Sequence, residues 1–325
     1  MDTNNKTLNF LYCFDYNYNS QAYSSMISLL DLVNEKIHIH ILHNDLEKIK
    51  NIPEKIKSHK YLDSINTYEF KNNGIDFPNI DDTHISEATY YRLFIDEYLP
   101  NNIQNIVYID ADIICLKNPI EAIKEKVEIL NNSNFVFCAK TEYRNNFEPA
   151  VLKEKMTNSF FKKYWPFERL NINEVYFNAG FLIINLNRWR ENNLTFNFLK
   201  EMDLIKNNIV AWDQDVMNSY INGQYIDLSI DFNCLAEKIN KLSKIPYFLH
   251  FSGSKKPWNT DGTFNYEANF YHKNYSKVHD NYFHISHNWK TNSIKQWLWS
   301  LISLSIFKLK KPLKYCNEFL RSLIK

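Results

Sequence analysis

The chain has 325 residues, of which 45% are hydrophobic and 16% aromatic, and its formal net charge is +1. This composition excludes a disordered chain, and the length suits one large or two modest globular domains. The near-neutral charge argues against a whole-protein attraction to nucleic acid, so we expect no nucleic-acid partner. The five cysteines are scattered and form no CxxC pair, which favours a reducing compartment over a disulfide framework or a zinc site.

The start of the chain, MDTNNKTLNF, is polar and lacks the basic start and apolar core of a signal peptide. No stretch approaches the roughly 20 apolar residues that a membrane-spanning helix needs. We therefore expect a cytoplasmic protein. The five glycines form neither a GxGxxG nor a Walker-type pattern, so a glycine-rich loop would not hold a phosphorylated ligand.

Apolar and amphipathic stretches alternate along most of the chain. Strands are predicted at residues 8–14, 36–44, 65–70, 106–109, 134–140 and 179–189. Helices are predicted at residues 20–33, with Ser20 as its N-cap, and at 88–99. This alternation predicts an open, mostly parallel α/β sheet. Such sheets bind ligands beyond the carboxyl ends of their strands.

Two carboxylates, Asp110 and Asp112, follow the strand 106–109 at its carboxyl end. Strand side chains alternate between faces, so we expect both carboxylates to point one way and Ala111 the other. Carboxylates this close repel unless a cation lies between them, and hard oxygen ligands suit Mg²⁺ or Mn²⁺. A solvated turn is the competing interpretation of an isolated DxD. The buried strand before it and the apolar run 113–116 after it favour a metal site.

The segment YIDADIICLKNP (108–119) resembles the metal-binding DxD segment of the family 8 retaining glycosyltransferases, which include bacterial lipooligosaccharide galactosyltransferases and, more distantly, glycogenin. Other segments match in the family's order: FDYNY (14–18), HISEATYYRL (84–93), YFNAGFLIINLNRWR (176–190), WDQDVMN (212–218) and HFSGSKKPW (250–258). The resemblance implies a GT-A fold, which is an α/β fold with a single Rossmann-like nucleotide-binding domain and a mixed, mostly parallel sheet.

The resemblance also implies the parts of a site for a sugar nucleotide. Asp110, Asp112 and His250 would hold one Mn²⁺ or Mg²⁺ that bridges the two phosphates and stabilises the departing UDP. Lys256 would add positive charge at the phosphates, and Gly253 would let the backbone approach them. A strand-capping histidine is the competing interpretation of His250.

The nucleotide would be recognised by residues of the first motifs. Asp15 would accept from the uracil N3–H, with Asn17 nearby, and Tyr18 would stack on the base. Arg92 matches the arginine that meets the donor in the family, although a solvated helix face is the default expectation there. Two further residues of the matching segments, Ile85 and Ala111, are assigned to the same nucleotide-sugar site.

The resemblance places Asn178, Asp213 and Gln214 around the sugar. Gln214 occupies the position that faces the anomeric carbon and is a very poor nucleophile, whereas a retaining hydrolase uses two carboxylates. We therefore favour front-side attack through a short-lived oxocarbenium–phosphate ion pair, with Asp213 binding sugar hydroxyls and Gln214 steadying the cation. Asp215 is predicted to be structural, for example in helix capping.

The sequence departs from its bacterial relatives in places that bear on the substrates. Tyr16 stands where they often carry a second aspartate, and the apolar VAW (210–212) replaces a polar pair before the DQD motif. Residues 137–145 lack an aspartate of the acceptor side. The identity of the acceptor therefore does not carry over, and the donor sugar is only partly constrained.

The composition changes towards the end of the chain, and we predict a boundary between a catalytic domain, 1–265, and a helical region, 266–325. Residues 292–325 interleave lysines with tryptophans and aliphatic residues, in a pattern typical of an interfacial helix on anionic lipid. The competing interpretation is a terminal helix packed on its own domain. The resemblance favours a peripheral position on the inner face of the cytoplasmic membrane, because such relatives act on lipid-linked acceptors.

Together these observations predict a metal-dependent retaining hexosyltransferase. It would move galactose or glucose from a UDP-sugar to a glycan or glycolipid acceptor, in lipooligosaccharide or another surface polysaccharide. Two alternatives stay open at this point. One is a self-glucosylating protein similar to glycogenin, and the other is a catalytically silent module that binds UDP-sugars.

Overall fold

The computed structural model describes residues 7–78 and 86–324. Two sheets are built from strands β1 (Asn9–Cys13), β2 (Ile37–His43), β3 (Leu62–Glu69), β4 (Asn105–Ile109), β5 (Ile113–Cys115), β6 (Phe137–Arg144), β7 (Val175–Asn185), β8 (Ile226–Asp227), β9 (Cys234–Leu235) and β10 (Phe248–His250).

The larger sheet has seven strands in the order β3-β2-β1-β4-β7-β6-β8. Strands β3, β2, β1 and β4 are parallel, whereas β7 runs antiparallel to both β4 and β6. Strand β7 is buried at every position except Val175, as expected of a central strand covered on both faces. The predicted α/β architecture with a mixed, mostly parallel sheet is confirmed.

Helices cover both faces of this sheet and extend to the C-terminal region. They are α1 (Asn19–Leu30), α2 (Leu46–Ile49), α3 (Glu54–Lys57), α4 (Ile95–Tyr98), α5 (Ile120–Asn131), α6 (Pro149–Lys155), α7 (Ser159–Tyr164), α8 (Pro166–Leu170), α9 (Leu186–Glu191), α10 (Leu194–Leu204), α11 (Trp212–Ile221), α12 (Thr260–Thr263), α13 (Ala268–Val278), α14 (Lys290–Ile302) and α15 (Pro312–Ile324). Short 3₁₀ helices occur at Tyr16–Tyr18, Glu87–Phe94, Lys206–Asn208, Ile230–Phe232, Ala236–Lys241 and Ser305–Lys308.

The first predicted helix is present, but Ser20 is not its N-cap. Helix α1 begins at Asn19, and a 3₁₀ turn capped by Asp15 runs directly into it. The backbone N–H of Asn19 donates to the Tyr16 carbonyl, so the preceding turn supplies the partners that a capping side chain would offer. Ser20 lies inside the helix, where its carbonyl accepts from Ser24 Oγ at 2.7 Å.

The predicted helix 88–99 is mostly a 3₁₀ helix, Glu87–Phe94, followed by the short α4. In a 3₁₀ helix, side chains three residues apart lie on one face. Thr89 and Arg92 therefore face the same way, and both contact Asp213. This tertiary contact accounts for a geometry that the helical periodicity alone does not predict.

The predicted strand 179–189 also differs at its ends. Strand β7 begins earlier, at Val175, and stops at Asn185, whose side chain accepts from the Arg188 N–H at 3.0 Å and caps α9. The apolar residues beyond Asn185 continue as a helix because this cap ends the strand.

A second sheet of three strands, β5-β10-β9, lies beyond the end of β4. Strand β10 pairs antiparallel with β5, with His250 opposite Ile113, and parallel with β9, with His250 opposite Leu235. This pairing brings a residue near the end of the family motifs next to the predicted metal carboxylates, although about 140 residues of chain separate them.

The C-terminal region packs partly on the rest of the chain. Helix α13 packs against α1, and Lys277 Nζ lies 2.5 Å from Asp31 Oδ2. The later helices share an apolar cluster of their own, which includes Phe283, Ile306 and Phe319. The predicted boundary near 265 stays a prediction. Among the described residues, no helix is both long enough and apolar enough to span a membrane.

Candidate active site

Asp110, Asp112 and His250 converge at the end of β4. One ligand atom from each lies within 4.8 Å of the others. His250 Nε2 is 3.3 Å from Asp112 Oδ1 and 3.9 Å from Asp110 Oδ2. Two carboxylates and an imidazole form a donor set suited to a hard or borderline divalent cation such as Mn²⁺. The three residues predicted as metal ligands therefore fit a metal ion in the fold.

The two carboxylates meet for a different reason from the predicted one. Strand β4 ends at Ile109, and a turn closed by the Ile113 N–H on the Asp110 carbonyl at 3.1 Å follows it. Strand alternation therefore does not apply to Asp110 and Asp112. The turn and the pairing of β5 with β10 aim both side chains at His250.

A chain of buried amides orients His250. His250 Nδ1 lies 2.9 Å from Asn233 Oδ1, and Asn233 Nδ2 donates to Asn178 Oδ1 at 2.8 Å. Asn178 Oδ1 also accepts from the Gly180 N–H, and Asn178 Nδ2 donates to Glu142 Oε2 at 3.1 Å. Because the Asn233 amide nitrogen is engaged as a donor, its oxygen accepts a proton on Nδ1. The lone pair of Nε2 is then directed at the carboxylates, as a metal ligand requires.

Gly180 provides the space for this arrangement. A Cβ at this position would lie 2.4 Å from His250 Cε1 and 2.9 Å from Asp110 Oδ2. The carbonyl of Gly180 also accepts from the Asp110 N–H at 2.8 Å. Any side chain here would displace His250 or Asp110, two of the predicted metal ligands.

Arg92 is buried and joins the metal carboxylates to the DQD motif. Its Nη2 lies 3.2 Å from Asp110 Oδ1, and its Nε lies 2.8 Å from Asp213 Oδ2. The guanidinium also lies over the Tyr108 ring, 4.3 Å from its centroid. The solvated helix face that is the default for such an arginine is thus excluded.

Asp213 is almost fully buried behind Arg92. Its Oδ1 accepts from Thr89 Oγ1 at 2.6 Å. Burial raises the pKa of Asp213 to about 6, although the Arg92 guanidinium and the Thr89 hydroxyl oppose the shift. The carboxylate is therefore held in place by partners within the protein.

Lys256 contributes a second buried cation. Its Nζ lies 2.5 Å from Asp112 Oδ2 and donates to the Phe251 carbonyl at 2.8 Å. Burial by itself would raise the pKa of Asp112. The Lys256 ammonium and His250 outweigh that effect and hold the pKa of Asp112 below its usual range, so the carboxylate is ionised and ready to bind a cation.

A pocket opens over these groups. It brings together seven residues predicted for the metal or nucleotide site: Asp15, Tyr18, Arg92, Asp110, Ala111, Asp112 and Lys256. Tyr18 is half-buried and packs edge-on against Trp258, with ring centroids 5.9 Å apart. The pocket therefore combines two cations, three carboxylates and an aromatic wall.

Asn178 and Gln214 do not line this pocket, and Asn178 is linked to the triad through Asn233. Gln214 Oε1 accepts from the Ala179 N–H at 3.0 Å, and its Nε2 donates to Tyr176 Oη at 3.0 Å. The DQD motif is thereby fastened to β7. Trp212, just before the motif, has φ 49°, a conformation that bulky residues rarely adopt.

Asp215 has the structural position expected of it. Its carboxylate accepts from the backbone N–H groups of Val210 and Ala211, each at 2.7 Å, and from Tyr176 Oη at 2.8 Å. Arg169 Nη1 lies 2.6 Å away. These contacts hold the turn that leads into α11, with the carboxylate acting as a cap for the backbone before the helix.

Asn17 and Gly253 lie outside both the pocket and the group of predicted residues around the triad. Asn17 is exposed and donates its backbone N–H to Asp15 Oδ1 at 2.9 Å. Gly253 has φ +82° and lies in a bend after β10, where it lines a different surface depression. Ile85 lies outside the described residues.

Sequence reasoning missed Gly180 and Asn233. Gly180 belongs to the FNAG segment, so the motif offered a signal that a residue without a side chain was required there. Asn233 lies just before the two-residue strand β9 and has no local pattern that distinguishes it from the many other asparagines of the chain.

Comparisons with known proteins agree with this geometry. The sequence profile described as glycosyl transferase family 8 matches residues 9–262. The chain is 27% identical over 188 residues to lipopolysaccharide 1,3-galactosyltransferase of Salmonella typhimurium, covering 54% of this chain and 51% of that protein. It is 29% identical to the lipopolysaccharide glucosyltransferase WaaO of Escherichia coli, covering 53% and 49%. The matches therefore span about half the length of these relatives.

A putative glycosyltransferase of Haemophilus influenzae is 27% identical and is matched over 78% of this chain and 73% of its own length. Among solved structures, galactosyltransferase LgtC in complex with donor and acceptor sugar analogs has a TM-score of 0.67. That likeness covers 83% of this chain and 96% of LgtC at 18% identity, and it concerns the fold. The expected resemblance is confirmed: the chain belongs to glycosyl transferase family 8.

Proposed function

We propose that this protein is a metal-dependent, retaining hexosyltransferase that uses a UDP-sugar. It transfers galactose or glucose to a glycan acceptor of lipooligosaccharide or another surface polysaccharide. The observation that carries the proposal is the convergence of Asp110, Asp112 and His250 beneath a pocket that also contains Lys256 and Arg92. The lipopolysaccharide galactosyl- and glucosyltransferases among the relatives support the choice of sugars.

A nucleoside diphosphate suits the charge of this pocket. Asp110, Asp112 and His250 would hold Mn²⁺ or Mg²⁺, which when bound supplies Lewis-acid stabilisation of the leaving diphosphate. Lys256 places a further positive charge at the pocket wall beside Asp112. Asp15 and Tyr18 supply a hydrogen-bond acceptor and a ring for the uracil at the same pocket.

Among the described residues, the two that the resemblance places at the sugar, Gln214 and Asp213, are not free nucleophiles for a double displacement. Gln214 is an amide, and the Asp213 carboxylate is buried and engaged by Arg92 and Thr89. This favours front-side attack, in which the departing diphosphate takes the proton of the acceptor hydroxyl. Asn178 and Gln214 then orient the sugar and stabilise the positive charge that develops on its ring.

The C-terminal region supports attachment to an anionic membrane surface. Trp299, Ile302 and Phe307 are 66%, 73% and 68% exposed, and the exposed Lys308 and Lys310 adjoin them along the chain. An exposed apolar patch beside lysines fits the headgroup region of a bilayer. Other residues of the same segment, among them Ile306 and Phe319, are buried in a cluster, as the competing interpretation of a packed terminal helix predicts.

Release of UDP from a panel of UDP-sugars tests the proposed function. With Mn²⁺ present, we expect release from UDP-galactose or UDP-glucose that is lost on chelation and in Asp112→Ala and His250→Ala. Release that persists in both variants would contradict the metal assignment. Metal-dependent UDP binding without turnover, with or without glycan acceptors, would instead identify a silent binding module.

Sedimentation with phosphatidylglycerol vesicles, compared between wild type and Trp299→Ser, tests the membrane surface.

A further inference from the structure

A second depression, with a lining distinct from that of the nucleotide pocket, adjoins the metal triad through Asn233. We call it the basic groove, and its polar walls are formed by Lys140, Glu142, Arg144, Asn178, Asn233 and Lys238. Asn233 Oδ1 is 2.9 Å from His250 Nδ1, so one wall of the groove is in direct contact with a metal ligand. A molecule in the basic groove would therefore lie next to the place where the sugar is transferred.

The charges of the basic groove are not balanced. Arg144 Nη2 is paired with Asp227 Oδ2 at 2.6 Å. Glu142 accepts from the Asn178 amide at 3.1 Å. Within the described part of the chain, neither Lys140 nor Lys238 forms an ion pair. Two ammonium groups thus face the same cavity without a carboxylate in contact with them.

The ammonium group of Lys140 is partly removed from water in this arrangement. The side chain is half-buried, and its Nζ donates to the neighbouring Thr141 carbonyl. Burial lowers the pKa of Lys140, because the charged form is partly removed from water, although the carboxylates of Asp227 and Glu142 oppose the shift. An anion in the basic groove would compensate this desolvation directly.

We propose that the basic groove binds the acceptor and recognises an anionic group, a phosphate or a carboxylate, that the acceptor sugar carries. The inference rests on the proposed transferase function, because only a transferase needs a second sugar site beside the metal. Lys140 and Lys238 bind the anion, while the amides of Asn178 and Asn233 lie towards the reacting centre. Ile230 and Leu235 add apolar surface for a sugar ring.

Isothermal titration with small probes tests this proposal. Glucose 6-phosphate, glucuronate and glucose are each titrated into the protein loaded with Mn²⁺ and UDP, so that the nucleotide pocket is occupied. We expect one or both anionic sugars to bind at least about tenfold more tightly than glucose, as one charge-assisted contact provides. The better of the two anionic probes distinguishes a phosphate acceptor from a carboxylate acceptor.

Matched variants assign the effect to the groove. Lys140→Gln and Lys238→Gln should each reduce binding of the anionic sugar about tenfold and leave glucose binding unchanged. Lys241→Gln is the control, since Lys241 is exposed at the end of the same 3₁₀ helix, Ala236–Lys241, and does not line the groove. Circular dichroism of each variant verifies folding.

Two results would overturn the proposal: equal binding of charged and neutral sugars by the wild type, or anion binding that both glutamine variants retain. Titration of UDP with Mn²⁺ into the same proteins reports on the donor site separately. If UDP binds but the protein binds anionic and neutral sugars equally well, the proposed role of the basic groove is wrong and the proposed function stands. If UDP does not bind, the proposed function itself fails. Repeating the sugar titrations without UDP and metal then still shows whether the basic groove binds anionic sugars.

Discussion

Replacing Gly180 by alanine should damage the metal site while leaving the fold intact. The added Cβ would lie 2.4 Å from His250 Cε1 and 2.9 Å from Asp110 Oδ2. Ordinary contacts of a Cβ begin near 3.4 Å, so the imidazole must retreat by roughly 1 Å, the difference between 3.4 and 2.4 Å. Both neighbours are predicted metal ligands, and Gly180 lies in the buried strand β7, which is paired with β4 on one side and β6 on the other.

The size of the effect follows from this displacement. Metal–ligand distances tolerate about 0.2 Å, so a shift of roughly 1 Å removes His250 from the coordination sphere or distorts it. We expect the affinity for Mn²⁺ to fall by at least about 10–100-fold, the range seen when ligand positioning is lost. Overpacking should also lower the free energy of unfolding by about 1–3 kcal/mol.

Electron paramagnetic resonance of free Mn²⁺, titrated with protein in the absence of any sugar, measures this affinity directly. Gly223→Ala is the matched control: Gly223 has φ +84° and lies away from the triad, so its substitution strains the backbone without approaching a ligand. Gly223→Ala should lose stability and keep its affinity for Mn²⁺. Wild-type Mn²⁺ affinity in folded Gly180→Ala would refute the reasoning.

Three further predictions concern residues around the site and the core. Asn233→Ala should weaken Mn²⁺ binding about tenfold. Asn233→Asp still accepts the Nδ1 proton of His250, so its Mn²⁺ affinity should be closer to that of the wild type. Equal Mn²⁺ affinities of the two variants would contradict the orienting role of Asn233. His272 is fully buried, and burial lowers its pKa to about 3. Below pH 6.5 the unfolded chain therefore takes up a proton that the folded chain does not, and stability falls by up to about 1.4 kcal/mol per pH unit for this histidine. In urea unfolding between pH 7 and pH 4, the free energy of unfolding of His272→Gln should fall less steeply with pH than that of the wild type. An equally steep fall in both proteins would contradict the role assigned to His272. Arg92→Met should cost about 3–5 kcal/mol at pH 8 by leaving the buried carboxylate of Asp213 without its cation. The loss of stability should be smaller at pH 5, where Asp213 can take up a proton. If thermal unfolding shows the same loss at both pH values, the pairing of Arg92 with Asp213 does not stabilise the protein in this way.

Much of the site was determined by local sequence. The buried run that ends at Ile109 predicted a strand, and the carboxylates after it predicted a cation site, because both patterns depend on residues adjacent in the chain. The motifs around His250 and Gln214 then indicated a family whose fold the structure reproduces, and the three residues expected to hold a metal lie together in it. Element types were predicted well where burial was continuous, as in β1, β2 and β4.

Tertiary structure decided how those residues meet. Strand alternation does not align Asp110 with Asp112; a turn and the pairing of β5 with β10 do. Arg92 is buried where Asp110 and Asp213 reach it from distant segments, and the 3₁₀ geometry of its helix places Thr89 beside it on the face that contacts Asp213. Asn233 and the two unpaired lysines of the basic groove carry no local signature at all. Their environment is created by strands that pair across long separations in sequence, and such non-local contacts are absent from any pattern of neighbouring residues.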